Sequence, residues 1–228
     1  MSRVAIVAAL EREVRPLVKG WRVIEKDHDG RRFRFLEERD IVLVCGGVGA
    51  AAARRAAEAI ISNFAPELVW SAGFAGALDP KLDVGDVIRP EYVINAGDGS
   101  RVNVGSGRGI LVSFGSVASP QQKAKLRESY GAQAVDMEAA AVAHSAEAHG
   151  IAFAAVKVIS DAVNFEFPAM ERFVDSDGRF SEGRFAWFAA LRPWLWPQVL
   201  KLARNSSCAA HSLCSKLCSE ELEIFVSR

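Results

Sequence analysis

The sequence predicts a single α/β domain. Apolar runs of strand length recur with helix-length stretches between them, and several of those runs end in glycine. The 228 residues suit one core of this class, since α/β domains commonly reach this size as a unit. No internal repeat and no linker-like stretch divides the chain. On this reading the domain covers 1–204, and 205–228 form a C-terminal tail that is either helical or disordered.

The elements follow in order. Val4–Ala9 reads as a first buried strand. Arg22–Lys26 and Arg32–Glu37 read as a hairpin around Asp27-His28-Asp29-Gly30, a sequence rich in turn formers. Ile41–Cys45 is a β-branched strand running into Gly46-Gly47-Val48-Gly49, and a helix over Ala50–Phe64 stops before Pro66. Leu68–Ser71 is a strand that closes in a turn at Ala72-Gly73-Phe74-Ala75-Gly76. Val87–Ile94 is extended but bent or at an edge, because Pro90 cannot donate to a ladder. Asn95–Arg108, rich in Gly, Ser, Asn and Asp, reads as a mobile loop. Gly109–Ser113 is a strand, and Ser119 caps a helix over Pro120–Tyr130 with proline in its favoured first position. Asp136 and Glu138 read as the end of a buried strand, Val142–His149 is helical, and Phe153–Asp161 is a further strand. Arg184–Leu202 is amphipathic, carries Trp187, Trp194 and Trp196, and is broken at Pro193 and Pro197; beyond Asn205 the pattern fades.

Composition narrows the function classes. Lys plus Arg and Asp plus Glu number 28 each, which leaves no basic footprint for nucleic acid. Zero net charge gives no protection against self-association, so a homo-oligomer is expected. The apolar run Val4–Leu10 is too short for a secretion signal, and no stretch reaches the roughly 18 apolar residues of a membrane span. Four cysteines without a secretory signal favour the cytoplasm and free thiols. The spacing in CAAHSLCSKLC matches no structural zinc pattern, so no metal is expected.

The run Ala134–Gly150 is the most informative for chemistry. It sets Asp136 and Glu138 at the end of a strand beside Met137, and Phe153–Asp161 repeats the arrangement with Ser160 and Asp161. Carboxylates are rarely buried without partners, and in open α/β sheets ligands bind at the carboxyl ends of strands. Either aspartate taken alone also suits a helix cap. Glycines at 46, 47, 49, 73 and 76 let backbone approach a ligand closely, and the Gly47–Gly49 amides at the start of the following helix offer donors to an anion or a sugar hydroxyl. One carboxylate can accept two vicinal ribose hydroxyls. A second, protonated, can serve as general acid at a ring nitrogen, while Glu13 orders or deprotonates a water. Gly47-Val48-Gly49-Ala50-Ala51-Ala52 also fits a dinucleotide-binding turn with Glu67 as the ribose acid, although it does not follow the first strand.

The blocks AALEREV (8–14), GGVG (46–49), SAGFAGAL (71–78), VGDV (84–87), VDMEA (135–139) and ISDA (159–162) resemble, in order, those of the nucleoside phosphorylase superfamily. The branch they resemble comprises methylthioadenosine/S-adenosylhomocysteine nucleosidases and hopanoid-associated phosphorylases. The resemblance implies a central mixed, partly closed sheet flanked by helices, assembled as a dimer or higher oligomer. It implies cleavage of the N-glycosidic bond of a purine nucleoside such as a 5′-substituted adenosine, with Asp161 as acid at N7, Ser160 orienting it and Glu13 positioning the water. Glu138 would hold the ribose 2′- and 3′-hydroxyls beside Met137. Gly73, Phe74, Ser116 and Val117 would complete the substrate-binding set; by position and composition alone, Phe165 and Phe167 are expected to close over it. No cofactor is implied, with phosphate as a co-substrate in the alternative, phosphorolytic reading. Ser71-Ala72-Gly73-Phe74 stands where phosphorolytic members carry Arg-x-Gly-Ser, which favours water, since a bidentate Arg is hard to replace. Arg12, Arg15, Arg54, Arg89 and Lys157 are the cations left to meet a phosphate. A nucleoside binder without turnover is the remaining alternative. Asp136, where the nucleosidases carry Glu, is assigned to the turn, and the shortened 95–108 segment leaves the 5′-side open.

Overall fold

The computed structural model describes residues 3–105, 107–166 and 191–219, together with 173, 175, 178, 180, 181, 183–185 and 188. Strand β1 (Val4–Ala8) is buried along its whole length and lies parallel between β4 (Ile41–Cys45) and β5 (Leu68–Ala77). A strand covered on both faces reads as a continuous apolar run, and VAIVA is one. Outward from β4, the hairpin of β3 (Arg31–Glu38) and β2 (Arg22–His28) extends the sheet with antiparallel pairs. Because His28 pairs with Arg31, its turn is only Asp29 and Gly30, both at positive φ (49° and 70°). That is the two-residue turn that suits strand twist.

Strand β5 is the hub. Leu68–Ser71 pairs with β1, β11 (Ala152–Asp161) runs parallel along its other side, and its last residues meet β10 (Ala134–Asp136) antiparallel. From β10 the sheet continues through β9 (Ile110–Ser113), β7 (Tyr92–Asn95) and β8 (Arg101–Asn103), while β6 (Val87–Ile88) pairs with β11. The mixed sheet is as expected; its expected partial closure is not, because it branches at β5 and is not closed.

Two segments read as irregular are ordered by pairing. Residues 72–76 are strand, because Lys157, Val158, Ile159 and Asp161 of β11 bond that backbone and override the low strand propensity of glycine. Within 95–108, β8 pairs with β7 and the Arg101 guanidinium stacks 3.5 Å from the Tyr92 ring centre. Pro90 divides Val87–Ile94 into β6 and β7.

Helices flank the sheet, among them α1 (Glu11–Val14), α2 (Ala50–Phe64), α3 (Pro120–Tyr130), α4 (Ala139–Ala148) and α5 (Trp196–Cys218). On one face, alanines of α2 and α4 pack with Val7, Val42 and Val69. On the other, Leu213 and Leu217 of α5 meet Val14, Trp70 and Val158. Pro197 begins α5 rather than breaking it, as proline in a first turn can. The helix runs through residue 205, where the sequence pattern faded because its inward positions are small: Ala209, Ala210 and Cys214 alternate with Leu202, Leu213 and Leu217 at helical spacing. Trp187 and residues 220–228 of the tail lie outside the described residues.

Candidate active site

Gly76 is where the site is assembled. It pairs with Val135 of β10 on one side and with Asp161 of β11 on the other. The turn after β10, carrying Met137 and Glu138, is thereby brought to the end of β11. A bulge helps: Ser160 and Asp161 together oppose Gly76. Neighbours on a regular strand point to opposite faces, whereas a bulge re-aims one of them. Both Ser160 and Asp161 line a cavity of about 510 Å³ together with Glu13, Glu138, Met137 and Phe74. Ser116, Val117 and Gly49 also line it.

On one side of the cavity stands a buried acidic cluster. Glu138 accepts the Gly49 N–H at 2.8 Å and the Met137 N–H at 3.3 Å. Its pKa is raised by burial and by the charge of Asp136, with Lys157 pulling the other way. Glu13, on the short α1, is pushed up to about 7 by burial and by Glu138. Its Oε2 is buried and, among the described residues, has no hydrogen-bond partner. Asp136 is consumed by structure: it accepts from Ser113 Oγ (2.5 Å), Ala139 N (2.8 Å) and Lys157 Nζ (2.9 Å). Burial opposes the charge on Lys157, yet Asp136 and Glu138 together hold its pKa above the ordinary value. Arg12, which also lines the cavity, acts on Glu13 alongside Lys157, so the three carboxyl groups face two cations.

Also in the lining, Asp161 takes the Ser160 hydroxyl on Oδ1 at 2.8 Å and the Lys123 ammonium on Oδ2. Burial raises its pKa, and Lys123 restrains the rise. Two glycines of β5 make room. A Cβ on Gly73 would stand 2.9 Å from Glu13 Oε2, and one on Gly76 would stand 2.8 Å from Asp161 Oδ2.

Several expected roles change. Gly73 does not line the cavity but backs Glu13. Gly47 opens instead on a neighbouring groove, its N–H bonded to Ala9 O. The amides of Val48 and Gly49 go to Gly178 O and Glu138, so this turn holds a carboxylate of the chain itself. Glu67 is exposed at the amino end of β5, opposite the ligand-facing ends, and with those amides taken the dinucleotide alternative loses its anion site. Phe165 turns back beneath α5, with Lys201 5.7 Å from its ring, while Phe180 lines the cavity under Arg12. Phe167 lies outside the described residues. Of the five candidate cations, Arg12 alone lines the cavity among the described residues. Lys123 went unread in the sequence, because one lysine in a polar helix carries no mark of burial. Among the described residues no three His, Cys, Asp or Glu side chains are placed to hold a metal, and no helix is long and apolar enough to cross a membrane.

A sequence model of the phosphorylase superfamily matches residues 3–114 and 106–182. The 5′-methylthioadenosine/S-adenosylhomocysteine nucleosidase of Staphylococcus aureus (strain bovine RF122 / ET3-1) is 26% identical over 166 residues, 58% of this chain and 73% of that protein. Among solved structures, the futalosine hydrolase of Helicobacter pylori superposes with a TM-score of 0.72 at 17% identity, covering 99% of this chain and 97% of its own. The Neisseria meningitidis 5′-methylthioadenosine/S-adenosylhomocysteine nucleosidase, in complex with methylthio-immucillin-A, gives 0.71 at 20% identity, covering 95% and 97%.

Proposed function

The chain belongs to the phosphorylase superfamily, and from that premise we propose that this enzyme hydrolyses the N-glycosidic bond of a 5′-substituted adenosine. The similarity to nucleosidases and to a futalosine hydrolase supports glycosidic cleavage of nucleosides in general. One observation carries the finer reading: Glu13 and Glu138 share a single cavity of about 510 Å³ with Ser160 and Asp161. Glu138 binds the vicinal ribose hydroxyls, which present two donors to one carboxylate. Asp161 protonates the departing purine, and burial keeps a proton on it at higher pH than an ordinary aspartate. Glu13 takes a proton from the attacking water, and a pKa of about 7 suits a base working near neutrality. The acid, the clamp and the base are all side chains, so the reaction needs no cofactor.

A second reading has its own observation. Arg12 lines the cavity, and its buried Nε has no hydrogen-bond partner among the described residues. That is the donor a phosphate nucleophile would use. Incubating the protein with methylthioadenosine, S-adenosylhomocysteine, futalosine, adenosine and inosine, with and without phosphate, tests both readings. Base release without phosphate is expected. Release only with phosphate establishes the phosphorylase, and tight binding without release establishes a nucleoside binder.

We propose a homo-oligomer as well, supported by exposed Leu191, Trp194, Trp196 and Leu200 within ten residues of chain. The free cysteines at 45, 208, 214 and 218 fit a reducing cytoplasm.

A further inference from the structure

We propose that Lys123 is a positioning residue for the base-side acid. Its ammonium occupies Asp161 Oδ2, so that the proton destined for the purine sits on Oδ1, and its charge makes that carboxyl a stronger acid. This inference rests on the nucleosidase reading and specifies how its acid is set.

The geometry is built for the pair. A capping box between Ser119 and Gln122 fixes the first turn of α3 and sends Lys123 inward, where it is 1% exposed. Its Nζ bonds Asp161 and, at 2.7 Å, the carbonyl of Ala162. Gly76 is the clearance: a Cβ there would also stand 3.2 Å from Lys123 Cε and 3.3 Å from Nζ.

With Oδ2 taken, Oδ1 is the oxygen left to carry a proton. Ser160 Oγ has one hydrogen and two acceptors in reach, Asp161 Oδ1 at 2.8 Å and Ala75 O at 3.4 Å. It turns to Ala75 when Oδ1 is protonated. Among the described residues the charged group acting on Asp161 is Lys123, from α3; β5 presents Ala75 and Gly76, and β11 presents Ser160. Glu13, Asp136, Glu138 and Lys157 act on one another on the sugar side.

The step balances. The C1′–N9 bond breaks and its electron pair enters the purine, which takes the Oδ1 proton at a ring nitrogen. Water oxygen bonds to C1′ and its proton passes to Glu13. Asp161 is left as a carboxylate already paired with the Lys123 ammonium, so no bare charge appears in the interior. Solvent returns the proton from Glu13 to Asp161 after release.

The test compares wild type and Lys123→Met on methylthioadenosine and on 4-nitrophenyl β-ribofuranoside, whose aryloxide leaves without a proton. For adenine release, kcat should fall roughly ten- to a hundredfold, part of the ~10²–10⁴-fold that general acid catalysis supplies, with KM little changed. The alkaline limb of kcat should move up by about 1–3 pH units, the usual effect of removing a neighbouring opposite charge. Turnover of the nitrophenyl riboside should be preserved. Equal losses on both substrates with an unmoved limb, or unchanged adenine release, overturn the proposal. If Lys123→Met does not fold, Lys123→Gln, which keeps donors for Asp161 and Ala162, is judged by the same limb. A wild-type protein inactive on both compounds overturns the nucleosidase reading itself.

Discussion

Asp161 and Glu13 are both carboxyl groups, and the proposed reaction gives them opposite tasks in different surroundings. Asp161 sits against an ammonium and a hydroxyl, whereas Glu13 Oε2 meets no donor among the described residues. Asp161→Asn keeps the shape and removes the acid, so adenine release should slow by roughly 10²–10⁴-fold, as read by single-turnover kinetics on methylthioadenosine. Glu13 makes a prediction about stability as well. Its folded pKa of about 7 lies above the ordinary 4.5, so the folded state holds the proton more tightly than the unfolded one. Its contribution is fullest below pH 4.5, is lost as the pH rises through about 7, and above that leaves a penalty. The difference corresponds to about 3 kcal/mol. Glu13→Gln should therefore be inactive but more stable than wild type at pH 8, with the gain vanishing toward pH 4.5, as measured by urea unfolding.

At the scale of elements, α5 carries the site from behind. Leu213, fully buried, packs in one cluster with Val14 and Val18, and Cys214 Sγ reaches the carbonyl of Glu13. Leu213→Ala should cost about 2–5 kcal/mol and should lower kcat by loosening α1, a pair of effects that unfolding curves and initial rates would separate. The helices α2 and α3 were legible to the residue, because Pro66 follows one and Ser119-Pro120 opens the other with a cap. The inner half of β5 was not. Glycines at 73 and 76 look like turn residues until β11 is laid beside them, and nothing local announces a partner some eighty residues away. Likewise, α5 hides its inward stripe behind alanine and cysteine, which carry little of the hydropathy that marks a buried face.

For the molecule as a whole, zero net charge and exposed Trp194, Trp196, Leu191 and Leu200 predict self-association. Light scattering at micromolar concentration should give a mass at least twice the 24.7 kDa of the chain, and replacing Trp194 and Leu200 by Ser should lower it. Sequence alone determined the α/β class, the strand that ends at Asp161 and the acidic turn at Glu138, because buried strands and helix starts are written in local hydropathy and capping chemistry. Which carboxylate faces which neighbour was decided only in three dimensions. Val135 and Asp161 meet at Gly76, and Lys123 arrives from a separate helix. Desolvation, which fixes how tightly these acids hold their protons, is a property of everything packed around them and belongs to no single stretch of chain.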